Sequence, residues 1–205
     1  MVIGLTGGTG VGKTSVGNIL REYGIYVIDA DQTARQVMEK GSPCLAETAD
    51  CFGTSVLNSD GTLNRKKLGA VVFADREKLN MLNEITHKYI LRQIRSELDS
   101  HKEQDVVIDA ALLIESGLNR WCDYVISVLA DEEIRERRIM QRDNISIEYA
   151  RNRISSQKKS DFYIENSDYL VYNNSNTSSP REQVKEVMEQ LTRREEEKRK
   201  KISRS

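Results

Sequence analysis

Gly7-Gly8-Thr9-Gly10-Val11-Gly12-Lys13-Thr14 satisfies the pattern G-x-x-x-x-G-K-[ST] at every fixed position. Glycines let a backbone curl until successive N–H groups point inward, which suits a polyphosphate. A lysine at this spot supplies a mobile cation for β- and γ-phosphates, and the Thr14 hydroxyl can hold Mg2+. A plain turn between two elements needs neither this density of glycine nor the lysine. A dinucleotide fingerprint is excluded, because counting G-x-G-x-x-G from Gly8 and Gly10 lands on Lys13.

Carboxylates and arginines complete the chemistry of phosphoryl transfer. Asp29-Ala30-Asp31 follows an apolar run, and a carboxylate there could orient an acceptor hydroxyl and take its proton. Asp31 could equally cap a helix starting at Gln32, or do both. Asp109 ends another apolar run, the place of a metal-holding carboxylate, or of an ordinary loop residue. Arg138 and Arg142 lie four apart, with Arg135 three before the first. Such guanidinium groups could converge on a transferring phosphoryl group, or form a plain charged helix surface. His87 and His101 read as surface or packing residues.

The elements that must position these groups are legible as patterns. Residues 2–6 read as a buried strand stopping at the glycine cluster. A helix from about Lys13 would bury Val16, Ile19, Leu20 and Tyr23 and end at Gly24. Residues 25–28 form a second apolar run, expected to be covered on both faces. The strand–helix–strand unit implies a parallel, right-handed arrangement. Residues 105–109, 124–129 and 169–172 supply three further strands. Between the second and third strands, residues 31–101 read as a helical insertion. It has helical patterns near 32–40 and 45–52, a turn at Asn58-Ser59-Asp60-Gly61, and a long amphipathic segment through Leu79, Leu82, Ile85, Tyr89 and Ile90. Two charged helices fall within 131–157, the second starting at Ser146. Ser179-Pro180-Arg181-Glu182 is a capping box opening a last helix, with Val184, Val187, Met188 and Leu191 on its buried face. Beyond Leu191 no apolar stripe remains, so the charged end should protrude or fray.

Composition narrows the function. Thirty-one Lys plus Arg against 32 Asp plus Glu give a net charge of −1, so no basic surface for nucleic acid or membrane is expected. No run approaches the roughly 20 apolar residues of a membrane span, and the first residues lack the cationic start of a secretory signal. Three cysteines without zinc spacing suit a reducing cytoplasm. The N-K-x-D guanine reader of switch GTPases is missing, as are the signatures of motor and transporter ATPases. A small-molecule kinase remains, with a nucleotide-binding regulatory module as the alternative from another class. Asp31 speaks against that module, which needs no acceptor-side carboxylate.

Taken together, Gly4-Leu5-Thr6-Gly7-Gly8 with its loop, Asp29-Ala30-Asp31 with Ala34-Arg35, Gly61 with Asn64-Arg65, Leu112-Leu113-x-Glu115, Gln141-Arg142-Asp143, Arg153-Ile154-x-x-Gln157, and Asp168 and Asn173 around the last strand resemble the dephospho-CoA kinases. The resemblance spans residues 2 to 175. It implies a three-layer α/β phosphate-loop kinase with a five-stranded parallel sheet. The nucleotide core would comprise 1–30, 102–134 and 165–192, the acceptor domain 31–101, the lid 135–164 and a charged tail 193–205. It implies ATP on Gly8, Gly10, Val11, Gly12, Lys13, Thr14 and Ser15, with Asn173 near the adenine and Mg2+ on Thr14 and Asp109. It further implies Asp31 as base for the ribose 3′-hydroxyl of dephospho-CoA, Arg138 and Arg142 over the transferring phosphate, and Asp29, Arg35, Arg65, His87, Leu113 and Glu115 on the acceptor side. A nucleoside or nucleotide kinase with another acceptor is the alternative within the class. Two features depart from the family pattern. Asp109-Ala110-Ala111-Leu112 lacks the usual proline, and His87-Lys88 stands where His-Pro is common. Oligomeric state is left open.

Overall fold

Five short apolar runs become strands: β1 (Val2–Thr6), β2 (Tyr26–Asp29), β3 (Val106–Asp109), β4 (Tyr124–Leu129) and β5 (Tyr169–Tyr172), in the order β2-β3-β1-β4-β5. The computed structural model describes residues 1–174 and 177–202. β1 pairs in parallel with both β3 and β4, and β4 with β5. The register sets Leu5 beside Asp109 and Thr6 beside Ser127, so Asp109 ends where the glycine loop begins. β3 and β4 are buried along their whole length, as expected of covered parallel strands. β2 differs from expectation. It starts one residue later and lies at the sheet edge, and Tyr26 is exposed, so the run is not covered on both faces.

The chain divides into two compact units, Met1–Val27 with Gln104–Ser205, and Ile28–Glu103. In the first unit, α1 (Lys13–Glu22) packs Val16, Ile19 and Leu20 against Ile3, Leu5 and Ile126 of the sheet. Each such side chain contributes about 1.5–3 kcal/mol when removed from water. Tyr23 does not close the apolar stripe. It caps the helix and is 45% exposed, while Gly24 turns the chain at φ 79. α6 (Glu132–Asp143) and α7 (Ile147–Ser155) form a hairpin around Ile139, Ala150 and Ile154. Ser146 occupies the N-cap position of α7, but its hydroxyl bonds Glu148 rather than the backbone. A short helix, α8 (Ser160–Glu165), was not expected from the pattern.

The last helix (Pro180–Ile202, α9 below) opens with the capping box: Ser179 N–H donates to Glu182 at 2.9 Å and Glu182 N–H to Ser179 Oγ at 3.2 Å. Val184, Val187 and Leu191 join the α1 core. Past Leu191 the helix does not simply protrude. Tyr124 donates its hydroxyl proton to Glu195 at 3.0 Å, Lys198 Nζ lies 4.6 Å from the Tyr124 ring centre, and Arg194 lies 5.3 Å from that of Tyr169. Rings at the starts of β4 and β5 thus give the cations a surface that an apolar stripe would otherwise supply, each contact worth roughly 0.5–1 kcal/mol. Residues 203–205 of the expected tail lie outside the described residues.

The second unit is helical. After β2 come α2 (Ala30–Gln36), α3 (Pro43–Phe52), α4 (Arg65–Val72) and α5 (Arg76–Ser100). α2 stops four residues short of the expected Lys40, since Val37 and Met38 turn back through bonds to Thr33 O and Arg35 O. Its core gathers Met38, Cys44, Leu45, Val56, Leu68 and Val72 under the α5 stripe of Leu79, Leu82, Ile85 and Tyr89. Asn64 and Asp75 cap α4 and α5 through their side chains. Lys88, the departure from His-Pro, ties α5 to α3 by donating to both Glu47 oxygens at 2.6 and 2.7 Å. Ala110, in the segment lacking the proline, donates its N–H to Leu5 O at 3.0 Å.

Candidate active site

The loop between β1 and α1 ends at Gly12, in the left-handed region at φ 89. A Cβ there would overlap Asn173 Nδ2, so the left-handed backbone demands glycine and any side chain would also displace that amide. Asn173 follows β5, and its Nδ2 donates to Val11 O at 2.9 Å. Lys13, the first residue of α1, forms an ion pair with Asp109; both side chains are largely buried. Thr14 and Ser15 present exposed hydroxyls on the first helical turn, which carries no acidic residue. The helix dipole and free N–H groups there favour an anion.

α6 reaches this loop from the other side. Arg138 donates through Nη1 to Gly10 O at 3.3 Å and Val11 O at 3.1 Å, and through Nη2 to Asn173 O at 3.1 Å and Asn173 Oδ1 at 3.3 Å. It therefore stitches the loop to the end of β5. Arg142 does not converge with it: the exposed guanidinium is held by Asp143 at 2.8 Å. Arg142 and Arg153 together pull the Asp143 carboxyl down to about 2. The plain-surface reading of this helix fails at Arg135 and Glu136, which are 7% and 8% exposed. Arg135 Nε donates to Thr9 O at 2.9 Å, while Thr9 N–H donates to Gln157 Oε1 at 2.7 Å. Arg135 is one of three arginines that the sequence offers for the phosphates, and Gln157 stands in the family motif without a role; both sit against the loop. The sequence signal for Arg135 is its place one helical turn before Arg138, on the face that meets the loop.

The acceptor-side candidates sort by geometry. Asp29, not Asp31, caps α2, accepting Gln32 N–H at 2.9 Å. Asp31 lies exposed in the first turn, where its carboxylate takes no hydrogen bond or ion pair among the described residues. Arg35 and Arg65 are exposed on α2 and α4, and the half-buried His87 keeps an unpartnered Nε2. Leu113 needs correction: it is fully buried in the core and offers no surface to a substrate. Its neighbour Leu112 is 60% exposed and lines a cavity of about 330 Å3 with Glu115, Ser156, Gln157, Lys158 and Tyr163.

These residues fit a nucleoside triphosphate. The loop is shaped for close backbone approach, a lysine stands at its mouth, and a buried guanidinium nitrogen of Arg135 has no protein partner. Among the described residues no cluster of three or more His, Cys, Asp or Glu forms a metal cage. A metal ion here would draw on substrate phosphates beside one carboxylate and one hydroxyl, the usual habit of Mg2+.

A family model described as dephospho-CoA kinase matches residues 1–179. The chain is 40% identical over 193 residues to the dephospho-CoA kinase of Listeria innocua, covering 92% of this chain and 96% of that one. It is 39% identical over 191 residues to that of Shouchella clausii, covering 92% and 97%. Among solved structures it is similar to the protein TT1252 of Thermus thermophilus, with a TM-score of 0.79, 27% identity, and coverage of 93% and 97%.

Proposed function

The chain belongs to the dephospho-CoA kinase family, and we propose that it transfers the γ-phosphoryl group of ATP to the ribose 3′-hydroxyl of dephospho-CoA, giving CoA and ADP. The observation that carries the chemistry is the β1–α1 loop: a glycine-built cradle with a largely buried Lys13–Asp109 pair at its mouth. Lys13 would turn to the phosphate oxygens of the bound triphosphate, and Asp109 and Thr14 are the residues that would hold Mg2+. Mg2+, when bound, neutralises charge on the phosphoryl oxygens. Asp31, uncommitted in α2, accepts the acceptor hydroxyl proton. The new bond joins the 3′-oxygen to the γ-phosphorus, the bond from phosphorus to the β,γ-bridging oxygen breaks, and the electron pair leaves with ADP.

Residues 135–164, running from α6 into α8, are read as the lid that keeps water, a competing acceptor, from the phosphates. Asn173, whose amide binds the loop at Val11, is placed by this reading at the nucleoside end. Residues 31–101 serve the acceptor, with Arg35, Arg65 and His87 as its polar contacts, and Glu115 beside the exposed Leu112. Three free cysteines, one buried, suit the reducing cytoplasm where such a reaction would run.

The purified full chain supplied with MgATP should release one ADP for each CoA formed. Nucleosides, nucleoside monophosphates or no acceptor should give only background. Equal turnover with a nucleoside would favour the alternative acceptor class. ATP binding without turnover on any of them would favour a regulatory module.

A further inference from the structure

Of the four arginines on α6, Arg137 is exposed, and the other three differ in their surroundings. Arg142 is exposed and held by Asp143. Arg138 has both terminal nitrogens occupied by oxygens of Gly10, Val11 and Asn173. Arg135 is different. It is more than nine-tenths buried, its Nε holds Thr9 O, and its Nη2 is shut from solvent with no hydrogen-bond partner. Burial is the main influence on this guanidinium and lowers its pKa, while Tyr163 and Glu132 oppose that from a distance. An unpaired buried charge is costly unless some anion completes it.

The position of the nitrogen says which anion. Nη2 lies 2.7 Å from where a Cβ on Gly8 would project, so the missing side chain at residue 8 lets the guanidinium lie against the loop. Gln157 Oε1 is 3.2 Å from the same point and holds Thr9 from its N–H side. Arg135 and Gln157 thus hold the carbonyl and the N–H of one residue, Thr9, which fixes the direction of the spare N–H bonds. The amides of Lys13 and Thr14, at the start of α1, suit the inner phosphates of a nucleotide. The outer end of the phosphate tail then falls toward Gly8 and Thr9.

We propose that Arg135 is a phosphate-binding residue, its Nη2 donating to an oxygen of the terminal phosphoryl group of the bound nucleoside triphosphate. The assignment rests on the kinase reading above. It gives Arg135 the role that its helix neighbours leave open, since Arg138 would have to abandon its contacts to the loop and Asn173 to reach that oxygen.

The test compares two nucleotides that differ by that group. Calorimetry on the full-length chain would measure ADP and a non-hydrolysable β,γ-imido analogue of ATP against wild type, Arg135→Gln and Arg135→Lys, with melting curves as the folding control. A charge-assisted hydrogen bond predicts that Arg135→Gln weakens the analogue about tenfold or more, with ADP affinity changed less than about twofold. Arg135→Lys, which keeps the charge, should recover part of the loss. Equal weakening of both nucleotides would make Arg135 a loop-positioning residue only, and no weakening of either would remove it from the site; both outcomes overturn the proposal. Should Arg135→Gln not melt cooperatively, Arg135→Lys carries the same comparison, its loss again expected for the analogue and not for ADP. Wild-type turnover of dephospho-CoA, measured alongside, fails if the kinase reading is wrong, whereas the nucleotide comparison judges Arg135 either way.

Discussion

Replacing Gly12 with alanine tests the geometry of the loop in a way that can be worked out in advance. Two costs add. A side chain held at φ 89 pays about 1–2 kcal/mol of left-handed strain. The new Cβ would also overlap Asn173 Nδ2, so that amide must swing away. It then loses its bond to Val11 O at 2.9 Å and the one from Arg138 to its Oδ1 at 3.3 Å. At about 0.5–1.5 kcal/mol each, these bring Gly12→Ala to roughly 2–5 kcal/mol. Asn173→Ala alone loses the same two bonds, roughly 1–3 kcal/mol. In the double variant the amide is already gone, so only the strain is added. The double variant should therefore be more stable than the sum of the singles by about 1–3 kcal/mol. Urea titration without nucleotide gives all four stabilities from the midpoints, provided the slopes agree. Additivity within about 0.5 kcal/mol would refute the contact between Gly12 and Asn173.

Asp31→Asn should lower kcat about 100-fold or more, the scale of losing a general base, with ATP affinity by calorimetry nearly unchanged; wild-type turnover would leave Asp31 without a chemical role. Asp143 is held at about 2, below its ordinary 3.8, by Arg142 and Arg153. Its contribution is therefore present above about pH 4 and is lost as pH falls through 3.8 toward 2. Asp143→Asn should remove this part of the acid dependence, read from melting temperatures between pH 5 and 2; an unchanged profile would count against the cluster. Burial pushes the Cys122 thiol up to about 12, and Cys44 is raised for the same reason, whereas Cys51 is exposed. Iodoacetamide at pH 8 should label Cys51 alone until denaturant is added, as mass spectrometry of the peptides would report.

Local signals carried much of the fold. The glycine–lysine loop, the runs at 124–129 and 169–172, and the Ser179 box each declare themselves within a few residues. They became the α1 loop, β4, β5 and the α9 cap with those bounds. What pattern missed depends on partners distant in sequence. Arg135 reads equally as a phosphate arginine or a charged surface position, and its bond to Thr9 O, 126 residues away, sets it against the loop. Between two adjacent leucines, nothing local says that Leu113 enters the core while Leu112 stays out. Asp29 and Asp31 are equally good caps by type, and the chain direction leaving β2 decides for Asp29. The charged end of α9 has no apolar stripe, yet finds two tyrosine rings brought together by β4 and β5.

The most direct test is the position of the transferred phosphorus. The full chain would be incubated with dephospho-CoA and MgATP labelled at the γ-phosphate, and the product analysed by phosphorus NMR and mass spectrometry. Label should appear on the ribose 3′-oxygen, in an amount equal to the ADP released. Label in inorganic phosphate, or on any other oxygen of the acceptor, would contradict it.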